Sequence, residues 1–159
     1  MMNLDAVLGI LGFKRLEEYV VLYAGTYILD FRPTPGRVIV FKSALLEGND
    51  IGEFGIYFGN PDAAWLPAIR DFAPGGAGVF GWDNLWKVVT SSDLLRVQFS
   101  KQTSTDYMYL NIEYYVFDSD VFERIKETLR KYLEGEAQAP TPIAPAPTPA
   151  PARVIRRIT

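Results

Sequence analysis

From Tyr19 to Phe117 the apolar residues recur with a period of two, and beyond Asp118 the period changes to about 3.6. Period two sends alternate side chains to opposite faces of an extended strand, while 3.6 draws a stripe along a helix. A chain patterned this way over about a hundred consecutive residues has no room for the helices that parallel strands need between them. An all-β, antiparallel fold closed by one helix is therefore expected.

The predicted strands are 19–23, 26–31, 37–42, 53–58, 85–90, 94–100 and 107–117, each rich in aromatic and β-branched residues. Between them lie Arg32-Pro33-Thr34-Pro35-Gly36, Glu47-Gly48-Asn49-Asp50, Gly59-Asn60-Pro61-Asp62 and Pro74-Gly75-Gly76, whose residues supply fixed φ, positive φ or side-chain bonds to the backbone. The last strand alternates most sharply. Met108, Leu110, Ile112, Tyr114 and Val116 point one way, and Tyr109, Asn111, Glu113 and Tyr115 the other. The first set belongs to a core and the second faces water or an interface. Leu95, Val97 and Phe99, and Phe54, Ile56 and Phe58, repeat the pattern. Two sheets packed about 10 Å apart would bury these faces in a β-sandwich, and strand spacing leaves jelly-roll and immunoglobulin-like orders both open.

Residues 1–18 read as an arm in which Asn3 caps a short helix with Leu4, Val7, Leu8 and Leu11 on one face and Gly12 as its stop. The domain proper is 19–135, closed by a helix over 119–134. Asp120 and Glu123 resemble a capping box, Val121, Ile125, Leu129 and Leu133 form the apolar stripe, and Glu127 and Lys131 are a favourable i,i+4 pair. Residues 136–159 form a tail. Six of the eleven prolines fall within 137–152, a polyproline-like spacer of about 3.1 Å per residue.

The chain has neither His nor Cys, which removes disulfides, thiol chemistry, imidazole bases and the usual zinc sites. No nucleophile–base pair can be assembled from what remains, so no enzyme activity and no cofactor are expected. Glu53 and Glu113 are the acids best placed on strands for paired-carboxylate chemistry, and solvation of a polar face accounts for both. The absence of Cys and the presence of only three Met suit a thermophile. No apolar stretch approaches the roughly 20 residues of a membrane helix, and no signal peptide is apparent, so a cytoplasmic location is expected unless the chain is packaged elsewhere.

Charge is unevenly divided. Residues 1–136 carry all nineteen acids against thirteen bases, and residues 137–159 carry three arginines and no acid. An acidic body disfavours nucleic acid as its partner. The tail end, Arg153, Val154, Ile155, Arg156, Arg157 and Ile158, pairs β-branched residues with cations and reads as a short strand that docks outside its own domain. A sister subunit is the preferred receiver, with another protein or an anionic membrane surface next. A PxxP element, Pro142 to Pro145, lacks a flanking Arg.

Trp65, Trp82 and Trp86, near Asp83 and Asn84, could stack a sugar ring or line an interface. The Gly-rich run 73–82 lacks the Lys-Ser/Thr ending of a phosphate loop and reads as a flexible inter-strand loop. Glu47, Asn49, Asp50, Asn60 and Asp62 fit no calcium loop by spacing, and turn formation explains them; no metal site is expected.

The series GTYILDF, RVIVFKS, FGIYFG, LWKVVT, LLRVQFS and YMYLNIEYYVF, with a short arm before it and a helix and Pro-rich extension after it, resembles single β-barrel, jelly-roll viral capsid proteins over residues 19–135. The resemblance is architectural and carries no residue motif. It implies a structural virion role, as a capsid or capsid-decorating subunit that self-associates through its sandwich and tail. The alternative is a carbohydrate- or host-surface-binding module on a Pro-rich linker.

Overall fold

The computed structural model describes residues 4–73, 76–136 and 153–154. Among them the order is α1 (Leu4–Leu11), β1 (Phe13–Val21), β2 (Gly25–Phe31), β3 (Arg37–Gly59), β4 (Ala68–Phe72), β5 (Gly76–Trp82), β6 (Lys87–Val89), β7 (Leu94–Lys101), β8 (Met108–Asp118), α2 (Ser119–Glu136) and β9 (Arg153–Val154). Most of the described residues are in strands, and every strand pairing among them is antiparallel except β1 with β9. The all-β class expected from the period-two pattern is present.

Hydrogen bonding runs through one curled sheet in the order β2-β7-β3-β8-β1-β9, with β4, β5 and β6 also on β3. The long strand β3 causes the curl. Its first half pairs with β8 on one side and with β6 and β5 on the other; its second half pairs with β7 and β4. Phe31 of β2 meets Phe41 of β3 and Tyr114 of β8 edge-on at 5.2 and 5.3 Å, so the curl brings the two ends of the sheet over a shared core. Phe54, Ile56, Leu95, Val97, Phe99 and Leu110 are enclosed there, as their alternation requires.

Several boundaries differ from expectation. Glu47-Gly48-Asn49-Asp50 does not end a strand: β3 continues through it, held by β8 up to Glu47 and by β5 up to Gly48 and by β5 and β7 again from Ile51, with Asn49 and Asp50 in the shift of register. Residues 13–18, assigned to the arm, belong to β1, whose register on β8 begins at Phe13↔Val116. The stretch 76–82, read as loop, is β5. Gly81 permits this, since a Cβ there would lie 2.1 Å from the Ala44 carbonyl oxygen. β4 was also missed.

The face of β8 turned away from the core is partly covered. Tyr115 and Phe117 join Val38, Val40, Trp86 and Leu8 in a second apolar cluster under the two helices, so that face is not uniformly wet. In α2, Phe122 and Leu129 are buried, with Val121 and Ile125 partly so. Among its described side chains Glu127 pairs with Arg130 at 2.8 Å and Glu123 with Lys126, both i,i+3, and Glu127 takes Arg130 rather than the expected Lys131. The expected roles of Asn3, Leu133 and the Pro74-Gly75 turn lie outside the described residues or side chains.

Candidate interaction surfaces

At the β3–β8 register shift between Phe41 and Ser43, Lys42 is the extra residue. The bulge changes which parity faces inward: Ile39 and Phe41 before it, Ala44 and Leu46 after it, all face the core. The Lys42 carbonyl accepts from the Leu85 amide at 2.8 Å, so the interrupted ladder is satisfied. Its ammonium is directed under α1, where it donates to Asp5 Oδ2 at 2.8 Å and to both Glu113 oxygens at 3.3 Å. Lys14 binds Glu113 at 2.7 Å, and Tyr115 donates to Asp5. Burial works against the Asp5 carboxylate, but bonds from Lys42 and Tyr115 outweigh it and hold its pKa below the ordinary value. Burial likewise opposes the Lys42 cation, and Asp5 and Glu113 raise its pKa in spite of that. Tyr115 is held protonated, first by burial and then by the neighbouring Asp5. These groups fasten α1 to the sheet, and Glu113, one of the two strand acids weighed for paired-carboxylate chemistry, is engaged there by two lysines.

A second buried pair sits at the bend of β3. Lys101 Nζ, fully enclosed, donates to both Asp50 oxygens at 2.8 Å, and Thr103 bonds Asp50 through its amide and hydroxyl. Asp50 is thereby committed to structure. Among the described residues no group of three or more Asp or Glu could hold a metal ion.

The three tryptophans do not share a surface. Trp65 is 73% exposed in the 60–67 turn. Trp82 is half-buried against Phe54, with ring centroids 4.9 Å apart. Trp86 corrects the sequence reading: it is buried, its ring 6.4 Å from that of Tyr115 and 5.8 Å from Lys42 Nζ, because the Asn84–Trp86 loop adopts positive φ at both ends and folds the indole under the sheet face that α1 covers. It is unavailable to a sugar or partner. Tyr107 and Tyr109, stacked at 6.4 Å beside Glu47, Asn49 and Gly48, line one open cleft, and Tyr19, Phe31 and Tyr114 border another. The strand alternation places Tyr109 outward, but only the β3–β8 register sets it opposite Glu47.

For the tail, β9 lies parallel to β1, with Tyr19↔Arg153 and Val20↔Val154. The end was expected to dock outside its own domain; the described part docks on the chain's own β1. Sixteen residues separate α2 from β9, and the contour of a chain that long, up to about 3.3 Å per residue, exceeds the roughly 30 Å of a nine-residue strand, so return to the home domain is sterically open. Ile155, Arg156, Arg157 and Ile158 lie outside the described residues. Along 13–18, β1 has a strand on one side only among the described residues, and it exposes Phe13 and Leu16.

Sequence reasoning missed Lys42, Asp5 and Lys101. A lysine inside the apolar run VIVFKSALL was the available signal for the first. No described helix is long and apolar enough to cross a membrane. Neither a protein-family model nor a curated protein matches this chain.

Proposed function

We propose that this chain is a jelly-roll structural subunit that self-associates, with a virion as its setting and a capsid or capsid-decorating position as its role. The observation that carries the reading is the nested order of strand pairs. The first strand pairs with the last of the domain (β1–β8) and the second with the next to last (β2–β7); the two halves of β3 take β5 and β4. Nesting of this kind is how a jelly roll winds its eight strands, with β3 here serving as two of them, and such domains recur in viral capsids and lectins. A structural rather than enzymatic role agrees with the use of the buried charges: Lys42, Asp5 and Glu113 bind one another and hold α1.

The tail supplies the means of association. Pairing of β9 with β1 is an edge contact made by backbone bonds, and the same strand can pair with β1 of a sister subunit when local concentration is high. Other virion proteins or anionic lipid are the further receivers. Deleting residues 137–159 is expected to leave the melting temperature of the monomer nearly unchanged while lowering the mass of assemblies in light scattering. Equal mass for full-length and truncated chains at every concentration and salt would overturn the tail's role.

A second reading, a carbohydrate-binding module, is favoured by the cleft of Tyr107, Tyr109, Asn49 and Glu47, whose Oε2 is buried without a hydrogen-bond partner among the described residues. Stacked rings beside a carboxylate and an amide suit a sugar's apolar face and hydroxyls. Titration with neutral hexoses, followed by the tyrosine ring resonances, tests it.

A further inference from the structure

We propose that β1 also makes a two-fold antiparallel contact with β1 of a second copy, centred on Leu16. The run Phe13-Lys14-Arg15-Leu16-Glu17-Glu18-Tyr19, exposed from Phe13 to Leu16 and at Glu18 and buried at Tyr19, reads as its own complement when reversed. With Leu16 opposite Leu16 of the other copy, Arg15 stands opposite Glu17 and Lys14 opposite Glu18, each pair occurring twice. Opposite charges across an antiparallel pair stabilise it, and like charges there destabilise it.

The structure leaves the groups in place for this. Phe13 is 66% and Leu16 69% exposed, and Lys14, Arg15 and Glu18 are exposed. Among the described residues Arg15 and Glu18 have no ion-pair partner. Lys14 holds Glu113, and Glu17 accepts from Tyr114 at 2.8 Å and from Tyr19. A carboxylate offers about four acceptor positions, so Glu17 can take a guanidinium as well. Ile10 and Leu11, 78% and 41% exposed on the helix before β1, extend the apolar surface at each end.

The register is specified by what the alternatives cost. A shift of two residues sets Arg15 against Arg15 or Glu17 against Glu17. A shift of one matches only one of the two cations and joins the inward face of one copy to the outward face of the other. Parallel in-register pairing sets every charge against its like. β2, the edge strand at the other end of the order, has a single charge, Asp30, already held by Arg96 at 2.7 Å. Self-complementarity is thus a property of β1 and points to a second copy as occupant. The central five residues, 14–18, leave Tyr19 and Val20 to β9, so this contact deepens the self-association reading without depending on the tail.

The test uses two full-length variants, Lys14→Glu/Arg15→Glu and Glu17→Lys/Glu18→Lys, analysed alone and mixed by sedimentation over a concentration series, with circular dichroism to verify folding. Each alone faces like charge across the two-fold axis and is expected to dimerise about tenfold or more weakly than the parent chain. The mixture, with every charge opposed, recovers the parent's mass. Because Lys14 and Glu17 also have partners within the chain, Leu16→Cys serves as a second variant. It adds the chain's sole thiol at the axis, and mild oxidation is expected to yield a covalent dimer. A mixture no heavier than its separate components, or Leu16→Cys chains that stay monomeric on oxidation, overturns the proposal. Loss of assembly on deleting 137–159 with this dimer intact separates the failure of one contact from that of the other.

Discussion

Lys42 Nζ lies 2.8 Å from Asp5 Oδ2, and through this pair the extra residue of a β-bulge holds the N-terminal helix against the sheet. Around it, Leu8 is buried while Ile10 faces solvent, so α1 is fastened by a few contacts on one side. Replacing Asp5 with Asn weakens a partly buried charged hydrogen bond and is expected to cost about 1–2 kcal/mol. Amide exchange across 4–11 is expected to rise while that of β8 stays unchanged. Equal acceleration in both would show that α1 is not a separable unit.

Asp50 and Lys101 pose the question of a buried pair. Asp50→Ala leaves an enclosed ammonium without its counter-ion and is expected to cost about 3–5 kcal/mol in urea unfolding. Lys101→Met, which removes the buried charge itself, is expected to cost clearly less. The reverse order would mean that Asp50 contributes chiefly through Thr103.

Stability is expected to fall in acid through the same groups. Burial opposes ionisation of Asp50, but bonds from Lys101 and Thr103 leave its pKa below the ordinary 3.8, and Asp5 behaves likewise through Lys42 and Tyr115. A carboxyl lowered in the folded state adds stability above the unfolded value, which is lost as pH drops through the folded one. Unfolding free energy should therefore decline below about pH 3.8, and less steeply in Asp50→Asn. At the alkaline end the raised Lys42 contributes fully below 10.5, and its contribution goes as pH climbs through its folded value. Urea midpoints across both ranges provide the check.

Gly81 and Gly76 lie on the same strand with opposite demands. A Cβ at Gly81 would meet the Ala44 carbonyl oxygen at 2.1 Å, whereas at Gly76 nothing lies within 4 Å. Gly81→Ala is expected to destabilise by roughly 1–3 kcal/mol or to detach β5, and Gly76→Ala to change stability by less than about 0.5 kcal/mol. Melting temperatures and β5 amide exchange measure both.

Period and composition determined much of this protein. The alternation of 94–100 and 107–117, the helix after Asp118, the antiparallel all-β class and the exclusion of His and Cys chemistry all rest on local pattern, because side-chain direction in a strand or helix repeats with the backbone. Tertiary structure decided the rest. Whether Glu47-Gly48-Asn49-Asp50 turns or continues depends on β5 and β7 standing beside it, and whether 76–82 is loop or strand depends on Gly81 passing the Ala44 carbonyl. The bulge at Lys42 reversed the inward parity of β3, and the indole of Trp86 went beneath a helix that lies far from it in sequence. Hydrogen-bond partners and close approaches between distant segments set these outcomes, and a single strand's own residues do not encode which neighbour will supply them.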